Sequence, residues 1–182
     1  MPIDDLAKRI VPSLAEAAGF VLSPPPSRRS PEAGSDVGYR AEARLLALLA
    51  EDARLNTFKA FPDLEMVEYC VRHIKTGGIA GIQVKAISVD ADHPRGTVNV
   101  PPHTFRPTPN TWFTVFAERR DDESLHPTCL LIPSMDVGDL LLDHAGERSF
   151  TWDPDSARHD ASVAPYRIAT AELAIHLAAF LE

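Results

Sequence analysis

The chain is short of sulfur, of basic charge and of long apolar runs. Of its 182 residues only two are cysteine, Cys70 and Cys129, each set in an apolar, strand-like stretch. They predict reduced core thiols of a cytoplasmic protein, not a disulfide framework. No apolar run reaches about 18 residues, so a transmembrane helix is not expected. The opening Met1-Pro2-Ile3-Asp4-Asp5 lacks a basic segment followed by an apolar one, so neither is a signal peptide. The seven histidines never stand four residues apart and no CxxC occurs, which speaks against a structural zinc site. Gly-rich dinucleotide and phosphate loops are missing, and so is a GxSxG nucleophile elbow. Basic residues number 18 against 26 acidic ones, a net charge of −8. Tight, autonomous binding of duplex DNA usually needs a basic surface, so any such binding must be confined to a local rim or shared with a partner.

What is present suits one globular domain. Apolar residues make up 45% of the chain and charged residues 24%, enough for a sizeable core under a normal surface. Ile3 to Val21 carries near-helical apolar spacing broken by Pro12, and Ser23-Pro24-Pro25-Pro26-Ser27-Arg28-Arg29-Ser30-Pro31 reads as a linker. This predicts an N-terminal helix and proline-rich linker over 1–36 and a domain over 37–182. Leu45, Leu46, Leu48 and Leu49 predict a helix from Tyr39 to Asp52. Asn56 to Pro62 reads as extended. Met66 to His73 alternates, turns at Lys75-Thr76-Gly77-Gly78, and continues into an apolar strand, Ile79 to Val89, making a hairpin. Trp112 to Ala117 and Thr128 to Ile132 predict further strands, with Trp112 and Phe113 serving the core. A short helix over Met135 to Leu142 has Ser134 as its N-cap. Asp143 to Pro165 reads as polar and irregular, and Thr170 to Leu181 as a last helix. Its apolar side chains suit the core or an interface between two copies. The order predicts an α/β sandwich around a mixed sheet.

Gln83 and Lys85 carry the chemistry. They lie two apart on a strand and so share a face, while Ile82, Val84 and Ala86 point to the other. A lysine in an otherwise apolar strand needs a partner. Glu68, on the neighbouring strand, can stand beside it, and Asp63 is the other acidic candidate. Two readings follow. Carboxylates and a strand oxygen can hold Mg²⁺, with the lysine orienting water or stabilising charge on a phosphate. Alternatively, Glu68 and Lys85 form a cross-strand ion pair without chemistry. Lys59, Arg72, His73, Lys75 and Lys85, joined by Arg28, Arg29, Arg40 and Arg44, could line a phosphate path; a solvated hairpin tip explains the first group equally well.

The stretch Phe61-Pro62-Asp63-Leu64-Glu65-Met66-Val67-Glu68-Tyr69 followed by Gly81-Ile82-Gln83-Val84-Lys85 resembles the PD-(D/E)XK, or restriction-endonuclease-like, nuclease superfamily. It is most similar to the Mrr-like branch, where glutamine replaces the first acid of the (D/E)XK element. Gly38-Tyr39-Arg40-Ala41-Glu42 is similar to the glutamate-bearing first helix of that superfamily. The resemblance covers about Val37 to Asp139. It implies a restriction-endonuclease-like αβα sandwich and Mg²⁺- or Mn²⁺-dependent hydrolysis of DNA phosphodiester bonds, in defence or repair. Glu68 would be the main metal ligand with Asp63 as alternate, Gln83 a further oxygen ligand and Lys85 the catalytic lysine. Glu42 would support the first ligand or serve a second metal. Two positions depart from the branch: Met66 replaces a glycine and Glu68 an aspartate. They keep a second reading open, an inactive domain of the same fold that acts as a scaffold or regulatory partner, as a homodimer or with another protein.

Overall fold

The computed structural model describes residues 33–59, 67–102, 105–144, 147–156 and 161–182, all within the unit Ala33–Glu182. The expected N-terminal helix and proline-rich linker lie outside these residues, except that the segment assigned to the linker's end is already helical.

The first described helix, α1, spans Ala33–Ala50. It begins earlier than the leucine pattern suggests. Gly34 and Gly38 disfavour a helix by about 1 kcal/mol each relative to alanine, but such preferences yield to tertiary packing. Ala41, Leu45 and Leu49 are its buried stripe, four residues apart, and Leu46 points outward.

Six strands form the main sheet in the order β1 (Leu55–Lys59), β2 (Tyr69–His73), β3 (Ile79–Val89), β5 (Thr111–Arg119), β6 (Thr128–Pro133) and β9 (Arg167–Ala169). The pair β3–β5 is parallel, while β1–β2, β2–β3, β5–β6 and β6–β9 are antiparallel. The sheet is therefore mixed, as expected, and the hairpin β2–β3 forms where the alternation placed it. On one face lie α1 and the C-terminal helix α3 (Leu173–Phe180), burying Tyr69, Val71, Ile82, Val84 and Phe116 against Leu45, Leu173 and Leu177. On the other, Ile87, Val89, Phe113 and Val115 meet Val137 of the short helix α2 (Ser134–Leu140) and a three-stranded sheet in the order β4 (Gly96–Asn99), β8 (Glu147–Trp152), β7 (Leu142–His144). The result is an αβα sandwich with a small sheet added to one layer.

That small sheet is the main departure from the sequence reading. Residues after Asp143 are not irregular throughout: β8 places Phe150 and Trp152 in the core while Thr151 faces out. The alternation is genuine but short, and aspartate, proline and serine around it hide it. Ser134 is not an N-cap either. Pro133 takes that position without a side-chain cap bond. Ser134 is fully buried and ties α2 to the preceding loop, its Oγ accepting from Thr108 N–H at 2.9 Å and donating to Thr108 O at 2.7 Å.

Both cysteines are free thiols. Burial pushes Cys129 up to about 12, so it stays protonated in the core. Leu173, Leu177 and Leu181 serve the core, which leaves Ile175 and Phe180 as the exposed apolar groups of α3. Among the described residues no helix is long and apolar enough to cross a membrane.

Candidate active site

β3 is eleven residues long and β2 only five. Their ladder runs from Arg72↔Ile79 to Tyr69↔Ile82 and stops. Beyond Ile82, β3 is hydrogen-bonded as a strand only to β5 among the described residues, and in that sense its other edge is open. An open edge leaves backbone donors to be satisfied by something else. At this edge that role falls to Glu68. Its own N–H donates to Ile82 O at 2.9 Å, the last backbone link. Its carboxylate then turns back along the edge, and Oε2 accepts the Val84 N–H at 2.8 Å. Oε1 accepts from Gln83 Nε2 at 2.6 Å.

Gly81 makes this approach possible. A Cβ there would lie 2.8 Å from a Val67 methyl and 3.2 Å from the Thr111 hydroxyl. Any larger residue would push away the segment that carries Glu68.

Gln83, buried, and Lys85, half-buried, follow on the same side of β3, the side opposite α1. Gln83 also donates to Val84 O at 3.2 Å. Lys85 makes no hydrogen bond or ion pair among the described residues, so the direct bridge to Glu68 of the alternative reading does not form there. The two still feel each other: the lysine charge favours the ionised carboxylate.

Burial wins over that help. Glu68 is held above the usual carboxylate range, first by desolvation and then by the negative charge of Glu42, against the pull of the Val84 N–H, Lys85 and Gln83. Glu42 projects from α1 on the other side of the sheet. Its Oε2 accepts from Tyr69 O–H at 2.8 Å and from Lys59 Nζ at 3.2 Å. Burial and this carboxylate raise the Tyr69 hydroxyl, which therefore remains a donor. The structure thus brings Glu68, Gln83 and Lys85 into one cluster, with Glu42 close enough to act through charge but bonded elsewhere. Asp63 lies outside the described residues.

Among the described residues the other basic candidates do not join this cluster, and Arg28 and Arg29 lie outside the described residues. Arg72 and Lys75 belong to the far end of the hairpin. His73 is buried there, its Nδ1 accepting from Thr76 N–H at 3.2 Å. Arg40 and Arg44 are taken by a buried carboxylate just past the strand expected over Trp112 to Ala117. Glu118, near the end of β5, accepts from Arg40 Nε at 3.0 Å and NH2 at 2.5 Å and from Arg44 NH1 at 3.1 Å. The signal was there: Trp112, Thr114, Phe116 and Glu118 alternate on the face beneath α1, where two arginines stand four residues apart.

Glu68 and Gln83 offer hard oxygen donors of the kind Mg²⁺ and Mn²⁺ accept, and Mg²⁺ often binds through one or two carboxylates plus water. A desolvated carboxylate with no ion pair among the described residues fits a cation in charge. The described residues alone give no group of three histidine, cysteine or acidic ligands.

Neither a protein-family model nor a curated protein matches the chain. Among solved structures it is similar to a bacterial homing endonuclease, I-Ssp6803I, with a TM-score of 0.51 and 14% identity over 79% of this chain and 93% of that one. At this identity the likeness concerns the fold.

Proposed function

We propose that this chain is a metal-dependent nuclease-like domain that hydrolyses phosphodiester bonds of DNA, of the PD-(D/E)XK type with a Gln83-x-Lys85 element. The observation that carries the reading is the carboxylate of Glu68 closing the β2–β3 ladder beside Gln83 and Lys85 on an open strand edge. The fold it shares with a homing endonuclease supports it. A Mg²⁺ or Mn²⁺ ion held by Glu68 and the Gln83 side-chain oxygen, with Asp63 as a further ligand, would polarise the phosphate and activate water. Gln83 and the Val84 N–H fix the Glu68 carboxylate in one orientation. The Lys85 ammonium meets the charge that develops on the phosphate oxygens. Glu42 tunes Glu68 through its charge.

Lys85→Ala tests this. Supercoiled, linear and single-stranded DNA are incubated with wild type and variant in Mn²⁺, with both folds checked by circular dichroism. The proposal expects cleavage by wild type and none by a folded Lys85→Ala protein. Cleavage that survives the substitution, or an unfolded variant, overturns the assignment of Lys85.

One observation favours a second reading, an inactive domain of this fold that serves as a scaffold: both Glu68 oxygens already accept hydrogen bonds. A titration with Mg²⁺ and Mn²⁺ separates the two. A purely structural cluster gives no shift in melting temperature that depends on Glu68.

A further inference from the structure

The open edge of β3 does not end at Lys85. Farther along the same strand, Ala86, Ile87 and Ser88 form one wall of a cleft of about 510 Å³, closed by Val37 of α1, Arg120 after β5, and Arg95, Gly96 and Thr97 at the start of β4. Gly96 lets β4 come this close, since a Cβ there would sit 2.4 Å from the Ile87 Cβ. The described residues of the walls carry two guanidinium groups and two hydroxyls and no carboxylate.

The charges around the cleft are only partly spent. Arg120 uses Nε on Ser88 Oγ at 3.2 Å and NH1 on Asp90 Oδ2 at 3.0 Å. A guanidinium has five N–H donors, so donors remain. Arg95 lies 3.8 Å from the Asp153 carboxylate, an ion pair without a hydrogen bond, and about half its side chain is exposed. Asp90 itself is held ionised by His93 and Arg120. Each arginine is half-exposed and faces one carboxylate, Asp153 for Arg95 and Asp90 for Arg120, so what the cleft offers an anion is the guanidinium donors that the described residues leave unused.

We infer that this cleft seats a backbone phosphate of the DNA strand whose scissile phosphate lies at Lys85. The inference rests on the nuclease reading and adds to it the direction in which the strand runs, along β3 toward Arg95 and Arg120. Strand geometry sets the distance: Ser88 lies about 10 Å beyond Lys85. Phosphates of one strand recur every 3.4 Å or so along a duplex axis, so the seat is within about three nucleotides of the scissile position. Arginine forks bind phosphate bidentately, and the hydroxyls of Ser88 and Thr97 supply the shorter contacts.

The test measures binding of a short fluorescein-labelled DNA duplex and its single strand by anisotropy. Ca²⁺ replaces Mg²⁺ to suppress turnover, and salt is varied between about 50 and 200 mM. Arg95→Gln/Arg120→Gln keeps side-chain donors for Ser88 and Asp90 while removing two charges. Thr97→Glu places a carboxylate at an exposed wall position and disturbs no described pair. Both variants are expected to bind about tenfold more weakly or worse, and the double variant to flatten the salt slope by about 2. Wild-type binding with unchanged affinity and slope in both variants overturns the seat and leaves the nuclease reading standing. Failure of wild type to bind either DNA removes both.

Discussion

Two carboxylates, the half-buried Glu68 and the buried Glu118, show how the same side chain can be structure in one place and a candidate for chemistry in another. Glu118 sits beneath α1 with three guanidinium hydrogen bonds from Arg40 and Arg44. Its charge is matched by cations, and it fastens the helix to the sheet. Glu68 sits at the end of the β2–β3 ladder with two neutral donors, and burial lifts it above the ordinary carboxylate range. Its carboxylate is oriented but forms no ion pair among the described residues, Lys85 acting on it only through charge. The fold uses it to satisfy the Val84 N–H where the ladder ends, and a carboxylate with perturbed ionisation beside a lysine is a candidate functional group.

The comparison can be broken most sharply at Glu68. Glu68→Gln keeps an acceptor for the Val84 N–H but sets an amide N–H against Gln83 Nε2, so the fold is expected to survive with a melting temperature at neutral pH within about 4 °C of wild type. Its cleavage rate is expected to fall by about 10²–10³-fold. Differential scanning fluorimetry and a single-turnover assay on the same preparations check both halves.

Glu118→Ala is expected to do the reverse. Removing one side of a buried ion pair is strongly destabilising, and because the two arginines are about one-third exposed and can rehydrate, about 2–3 kcal/mol is expected. That corresponds to a melting temperature lower by about 4–12 °C in a domain of this size. At a temperature where the variant is folded, cleavage should change little, because neither arginine touches the cluster.

A smaller effect separates the two by pH. A carboxyl raised in the folded state binds more protons there than in the unfolded chain. Its contribution to stability therefore falls as pH rises from the ordinary carboxylate range through the folded value. Wild type should lose stability relative to Glu68→Gln across that window, and cleavage should appear over the same rise as Glu68 ionises. Melting curves of both proteins against pH test the sign; a difference that runs the other way contradicts it. The smallest effect belongs to Glu42→Gln. Its bonds to Tyr69 and the exposed Lys59 can partly re-form, so cleavage should drop only a few-fold and its acid limb should shift downward.

Much of this was legible in the sequence, for identifiable reasons. The β2–β3 hairpin and the shared face of Gln83 and Lys85 follow from strict alternation, which a strand cannot evade. Leu45 and Leu49 fix which side α1 buries. The small sheet was hidden because β4, β7 and β8 are short and lie among prolines, aspartates and glycines. Ser134 looked like a cap, but the loop before it claims its hydroxyl. The partners of Glu42 and Glu118 come from elements far apart in the chain, as do Arg95 and Arg120, and no local pattern pairs them. The ladder's end was invisible for a related reason: it depends on where β2 starts, and Val67 over Gly81 decides that.

The most direct measurement is the single-turnover cleavage rate of DNA in Mn²⁺ by wild type and Glu68→Gln, with melting temperatures taken on the same samples. The account predicts that wild type cleaves, and that the variant is at least about 100-fold slower while melting within about 4 °C of it. A wild type that leaves every DNA intact, or a variant that cleaves at the wild-type rate, would contradict it.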